Sequence, residues 1–204
     1  MKYGVIDIGS NSVRLMISVD GYTQRKDVIT TRLAENMGTE KILQENAIER
    51  TASAVSFFVD KARSENVDEI LIFSTAAVRQ AVNKQVCIDR VKLLTGIDIE
   101  VIQGQEEAKL GAIGALDQKD GGIIDVGGAS TEIRVQKDNE CIYGKSIDLG
   151  CVRVLTECGQ DYKKAEEYIT SKIEEFGCVP NTNFVSLGGT ATSIGSIIQK
   201  FKVY

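Results

Sequence analysis

Two short stretches of this chain repeat one another in register, and no other feature constrains the fold as much. "VIDIGSNS", residues 5 to 12, aligns with "IIDVGGAS", residues 123 to 130, at a constant offset. Asp7 falls on Asp125, Gly9 on Gly127 and Ser12 on Ser130. In each copy an apolar run ends in an aspartate and passes into bare, hydroxyl-rich backbone. Glycines after a strand let the main chain approach a ligand closely, and consecutive N–H groups there form an anion-binding concavity. Ser10, Asn11 and Ser12 in one loop, and Ser130 and Thr131 in the other, add hydroxyl or amide donors. An aspartate at the strand end can hold Mg²⁺ or a water beside a bound phosphate. Either loop alone also reads as an ordinary hairpin turn with Asx hydrogen bonds. The pair in register, with a third glycine turn in "LGGTATS" (187–193), points to a duplicated phosphate half-site.

Composition narrows what such a site can be. The 204 residues, 43% apolar and 26% charged, suit a globular chain of one large or two small domains. No window approaches the ~18 apolar residues of a membrane helix, and Asp7 interrupts too early for a signal-peptide core. The five cysteines are scattered without a C-x-x-C pair, which argues against a disulfide scaffold or zinc ribbon and for a reducing cytoplasm. There is no histidine, so histidine-based triads and histidine-ligated zinc are excluded. The net charge of −5 argues against a nucleic-acid partner. An anionic ligand must therefore be met by backbone N–H groups, a metal, or a few placed cations.

Periodicity gives a mixed α/β chain. Strands are expected at "YGVIDI", "VRLMISV", "DVITTRLA", "EILIFS" and "IDIEVI" in the first half, with a helix from Ile48 to Ala62 and others at "AAVRQAV" and "VCIDRVKLL". "EEAKLGAIGAL" (106–116) is a small-residue helix suited to close packing. The second half adds strands "GGIIDV", "TEIRVQ", "CIYGKSIDL" and "NFVSL". An amphipathic helix over 161–176 would turn Tyr162, Ala165, Ile169 and Ile173 to the core. The polar turn "DQKDGG" sets the expected division into domains 1–117 and 118–204.

Six ordered blocks carry a resemblance. "VIDIGSNSVRLMI", "STAAVRQAVN", "IQGQEEAKLGAIGAL", "IIDVGGASTEI", "SIDLGCVRVLTE" and "SLGGTATSI" resemble the signature blocks of the exopolyphosphatase and guanosine pentaphosphate phosphohydrolase family. That family belongs to the actin, hexokinase and Hsp70-like superfamily. The resemblance implies α/β architecture with two ribonuclease-H-like domains, each with a mixed sheet, facing a phosphate-binding cleft. It implies Mg²⁺-assisted hydrolysis of a terminal phosphoanhydride in polyphosphate or pppGpp. Glu107 matches the general base, and a carboxylate serves if the cleft raises its pKa toward the working pH. Glu106 is disfavoured because adjacent helical positions point about 100° apart. Asp125 and Glu132 match metal-binding acids, with Asp7 as their first-half counterpart. The phosphate-binding set is then Gly9, Ser10, Asn11, Ser12, Arg79, Gly127, Gly128, Ala129, Ser130, Gly188, Gly189 and Thr190. Arg79 suits the role because its planar fork pairs with phosphate oxygens. Arg14, Lys109, Lys145 and Arg153 are further candidates for supplying the cations that the net charge of −5 does not.

The chain departs from the family pattern at two points and in length. Lys109 stands where an arginine is usual and Ala129 where a third glycine is usual. The resemblance also implies a longer chain, so the second domain is expected to be truncated. A non-catalytic phosphate-binding relative and an ATP-using sugar or carboxylate kinase of the same superfamily remain as alternatives. Homodimerisation is left open.

Overall fold

Strict alternation makes the first strand. In β1 (Lys2–Ile8) Gly4, Ile6 and Ile8 are buried while Val5 and Asp7 face the other way. It pairs antiparallel with β2 (Ser12–Val19), which returns along β3 (Tyr22–Thr30). The second turn is Asp20–Gly21, both at positive φ (48° and 84°), the two-residue geometry that matches strand twist. This turn moves the third strand earlier than the expected "DVITTRLA". The computed structural model describes residues 1–38, 40–117 and 119–201.

The chain divides into two compact units, Met1–Ile102 and Gln103–Tyr204. In the first, α1 (Glu45–Ser64) buries Ile48, Ala52, Val55, Val59 and Ala62 on one face, as the spacing predicts. Gly4 lets it approach, since a Cβ there would meet the Ala62 Cβ at 3.0 Å. β4 (Glu69–Ser74) runs parallel to β1, and the sheet closes on a short β5 (Glu100–Val101), a remnant of the longer strand expected at 97–102. The helix at "AAVRQAV" is only α2 (Ala76–Gln80), and α3 (Lys84–Thr95) ends at a left-handed Gly96.

The second unit has β6 (Gly121–Val126), β7 (Thr131–Lys137) and β8 (Glu140–Ile147) as an antiparallel meander, with β9 (Phe184–Leu187) parallel to β6. Its strand order β8-β7-β6-β9 repeats the order β3-β2-β1-β4 of the first sheet. The repeat reaches down to irregularities. Register shifts fall between Ile17 and Ser18 in one copy and between Val135 and Gln136 in the other, which are aligned positions. The β7–β8 turn, Asp138–Asn139, again has two positive φ values. The duplication thus covers the whole three-stranded meander as well as the loops.

Helix α4 (Gly104–Leu116) groups with the second unit, so the compact division lies ahead of it, whereas the sequence suggests one after it, at 117/118; Gln118 lies outside the described residues. The reason is packing: Ala112 and Leu116 bury against Ile123, with Leu187 beside them. The opposite sheet face carries Ile133, Ile147, Leu149 and Phe176, with Ile124, Tyr168 and Ile169 packed on. Those last two come from α6 (Tyr162–Ile173), whose N-cap Asp161 accepts the Lys164 N–H. Its expected core face holds at Ile169 and fails at its two ends: Tyr162 is 90% exposed and Ile173 52%, and Tyr168 joins Ile169 in the contact. α5 (Cys151–Cys158) and α7 (Gly188–Ile198) complete the unit. No helix among the described residues is long and apolar enough to cross a membrane.

Candidate active site

The two glycine loops share one hydrogen-bond pattern. Gly9 N–H donates to Ser12 O at 3.0 Å, and Gly127 N–H donates to Ser130 O at 3.0 Å. A Cβ on either glycine would crowd that same carbonyl, at 3.1 and 3.2 Å. In the first unit the loop is closed from outside by Thr31 and Arg32, whose N–H groups donate to Asn11 O, and by Ala34, whose N–H donates to Ser10 O. In the second, the start of α5 plays this part. Cys151 N–H donates to Gly127 O at 3.1 Å, and the Val152 and Arg153 N–H groups donate to Gly128 O at 2.9 and 3.1 Å. Arg153 Nε adds a bond to Ala129 O at 3.0 Å, and Thr131 Oγ1 donates to Leu149 O at 2.5 Å. With outer carbonyls satisfied and Ser10, Ser12, Ala129 and Ser130 buried, each loop is a preformed concavity. Sequence reasoning missed α5 and Gly150; a glycine just ahead of "CVRVLTE" was the only signal.

The acids of the second unit lie in a row. Asp125 on β6 is the register partner of Glu132 on β7, which is the partner of Ser146 on β8. Glu132 is 1% exposed and accepts the Ser146 hydroxyl at 2.6 Å. Directly opposed carboxylates repel unless a cation or a proton lies between them. Alternation places both on the sheet face that carries Ile123, which is the face under α4. Helix α4 runs back along β6, because its last residue, Leu116, lies against Gly121 at the start of that strand. Midway, Gly111 sits on the sheet, where a Cβ would meet Ile123 Cδ1 and Leu187 Cδ1, both at 3.1 Å. Glu107 is one helical turn before Gly111 and on the same stripe. It is half-buried while Glu106 is exposed. Four helical residues advance about 6 Å and two strand residues about 6.6 Å, so the Glu107 turn reaches the Asp125 end of β6.

The third loop joins the same place. β9 pairs with β6 so that Leu187 is opposite Asp125, and Gly188 follows at φ +85°. A Cβ on Gly188 would stand 2.6 Å from Asp125 Oδ1 and 3.0 Å from Val126 O, so only glycine fits. Thr190 Oγ1 donates to Val126 O at 3.2 Å. Gly189 stands open at the first turn of α7. Glu107, Asp125, Glu132, Gly127–Ser130 and Gly188–Thr190 thus converge within one unit.

The first unit holds the remaining predicted residues. Asp7 faces Arg14 where Asp125 faces Glu132, so the duplicated position carries opposite charges in its two copies. Arg14 Nη1 bonds Asp7 Oδ2 at 3.0 Å, while Asp7 Oδ1 is buried without a hydrogen-bond partner. Burial raises the Asp7 carboxyl above its ordinary value, and Arg14 opposes this. Arg79 lies on α2 just past the end of β4, and its Nη1 donates to Ile102 O at 2.8 Å. Lys145 Nζ bonds Glu175 O, and Lys109 is exposed.

Among the described residues no group of three or more acids or cysteines gathers as a metal cage. Mg²⁺ commonly uses one or two carboxylates together with waters and substrate phosphates, and the opposed pair Asp125–Glu132 suits that demand. Asp7 suits it less, because Arg14 already supplies a positive charge.

The model of the Ppx/GppA phosphatase family matches residues 18–178. The chain belongs to that family. The chain is similar to proteins of two names. The guanosine-5'-triphosphate,3'-diphosphate pyrophosphatase of Photobacterium profundum is 31% identical over 175 residues, covering 81% of this chain and 35% of that protein. Exopolyphosphatase 2 of Mycobacterium tuberculosis is 28% identical over 232 residues, covering 100% of this chain and 72% of that protein. A solved exopolyphosphatase of Cytophaga hutchinsonii superposes with a TM-score of 0.85 at 25% identity, over 100% of this chain and 73% of that one. The chain therefore spans about a third of the pyrophosphatase relative and nearly three quarters of the exopolyphosphatases. Its two duplicated mixed sheets are the ribonuclease-H-like units of the actin-like ATPase fold.

Proposed function

We propose that this chain is a phosphoanhydride hydrolase that releases the terminal phosphate of polyphosphate or guanosine pentaphosphate, with Mg²⁺ held by Asp125 and Glu132. The observation that carries this reading is the convergence of Glu107, the opposed pair Asp125–Glu132 and two glycine turns at one end of one sheet. The names of the relatives, an exopolyphosphatase and a guanosine pentaphosphate pyrophosphatase, supply the substrate class. Backbone N–H groups and hydroxyls of Gly127–Ser130 and Gly188–Thr190 orient the phosphate oxygens, where preorganised donors stabilise developing charge. Glu107 accepts a proton from the attacking water at its carboxylate, a contribution of about 10²–10⁴ in rate. Bound at Asp125 and Glu132, Mg²⁺ would neutralise charge on the phosphate being transferred. The Ser146 hydroxyl, half-buried and donating to Glu132 Oε1 at 2.6 Å, keeps Glu132 fixed in its rotamer.

Phosphate release from medium-chain polyphosphate and from pppGpp, with Mg²⁺, tests this beside Glu107→Gln. The parent should release phosphate and the variant should lose about a hundredfold or more. A folded parent that releases none from either substrate refutes the reading, and the ratio of the two substrates names the branch.

A further inference from the structure

The two glycine loops are closed by different means, and the difference leaves one arginine at liberty. In the second unit the Ala129 carbonyl is met by a side chain, Arg153 Nε at 3.0 Å. At the aligned position in the first unit, Asn11, the carbonyl is met by backbone: the Thr31 and Arg32 N–H groups donate at 3.0 and 2.9 Å. The Arg32 guanidinium is therefore not needed to hold the loop. Among the described residues it makes no hydrogen bond and no ion pair, and it is exposed. The nearest acid along the loop, Glu35, is engaged by Arg50 Nη2 at 2.9 Å, while Arg50 Nε donates to Thr31 O at 3.1 Å. Arg32 thus begins one hydrogen bond from a phosphate loop with all five donors available.

Its backbone is as unusual as its side chain. Arg32 has φ +50°, in the left-handed region. Among the described residues, six of the nine non-glycine residues in that region are Asp or Asn, which tolerate it, so a long basic side chain there is a minority case. The segment is fixed on both sides: Thr31 is 2% exposed and Leu33 0%. A buried frame that holds an unpaired arginine in a costly conformation suits a ligand contact better than solvation does.

We propose that Arg32 is a phosphate-binding residue of the first half-site, taking the phosphate group next to the one seated on Gly9–Ser12 and thereby favouring linear phosphoanhydrides of three or more phosphates. This rests on the phosphatase reading above. A guanidinium fork matches two oxygens of one phosphate, whereas the glycine loop supplies its donors to the neighbouring group.

Steady-state hydrolysis of inorganic tripolyphosphate and of pyrophosphate by the full chain tests it, with Arg32→Gln, Arg32→Lys and Arg32→Gly. Arg32→Gln should raise KM for tripolyphosphate about tenfold, with the loss in KM rather than kcat, and raise it much less for pyrophosphate. Arg32→Lys should recover part of the affinity, as a point charge without the fork. Arg32→Gly separates a ligand role from a structural one: glycine accepts φ +50° freely, so its melting temperature should equal or exceed the parent's while its KM rises as in Arg32→Gln. Parental KM for tripolyphosphate in both Arg32→Gln and Arg32→Gly, with an active parent, overturns the proposal alone. A parent inactive on both anions overturns the phosphatase reading and this proposal together.

Discussion

Replacing Gly150 by alanine should dislodge the second glycine loop. Gly150 has φ −161° and ψ 162°, extended backbone open to any residue, so the cost is entirely steric. The new methyl would stand 2.5 Å from Gly128 C and O and 2.6 Å from Ala129 N, all backbone atoms that no rotamer can move aside. An ordinary contact distance requires the loop or the start of α5 to retreat by about 1 Å, and overpacking of this kind costs about 1–3 kcal/mol. The same retreat stretches the bonds from the Cys151, Val152 and Arg153 N–H groups to the Gly127 and Gly128 carbonyls, each of net worth about 1 kcal/mol. Taking ~3 kcal/mol together, and ~2–4 °C per kcal/mol for a chain of this size, the melting temperature should fall by roughly 6–12 °C. Thermal unfolding followed by circular dichroism measures this, with Gly114→Ala as the control. Gly114 lies inside α4 with nothing within 4 Å of its Cβ direction, so that alanine should stabilise by about 1 kcal/mol. A Gly150→Ala protein melting within about 2 °C of the parent would refute the close approach of α5 to the loop.

Two further outcomes follow from charge and burial. Because burial raises the Asp7 carboxyl above its ordinary value, the folded chain retains a proton that the unfolded chain has released between the two values. That contribution favours folding at low pH and is lost as pH rises through the folded value. Chemical denaturation at pH values stepped upward from the ordinary aspartate value should show parental stability declining relative to Asp7→Asn, and parallel curves would contradict the shift. Burial pushes the Cys87 thiol up to about 11, whereas Cys141, Cys151 and Cys178 are exposed. Native alkylation read by peptide mass spectrometry should label those three and spare Cys87, since the thiolate is the nucleophile; labelling of Cys87 at their rate would show that the α1–α3 side of the first unit opens readily.

The loops, the strands flanking them and the family were legible because they are local patterns: an apolar run, an aspartate and glycines, repeated at a fixed offset. Helix α1 was legible for the same reason, through its period. The face of α6 was legible only in its middle, at Ile169: Tyr162 and Ile173 fit the stripe by spacing but are exposed, and Tyr168 packs beside Ile169 instead. α5 was not legible, because eight residues without a cap motif give too little period to read.

The sequence by itself determined that one loop pattern, an apolar run, an aspartate and a glycine, occurs twice. It placed Asp125 and Glu132 at the second copy while leaving Glu107 in the first half; the tertiary structure put Glu107 in the second unit. Only the tertiary structure decided that Asp125 and Glu132 are direct cross-strand partners, that Gly111 brings α4 onto their face, and that Gly188 packs on Asp125. It also decided that the duplicated position pairs Asp7 with a base and Asp125 with an acid on adjoining strands. The physical reason is that register and close approach are properties of pairs distant along the chain. Two strands must pair before their side chains acquire neighbours, and a glycine declares its partner only when another backbone stands where its Cβ would be.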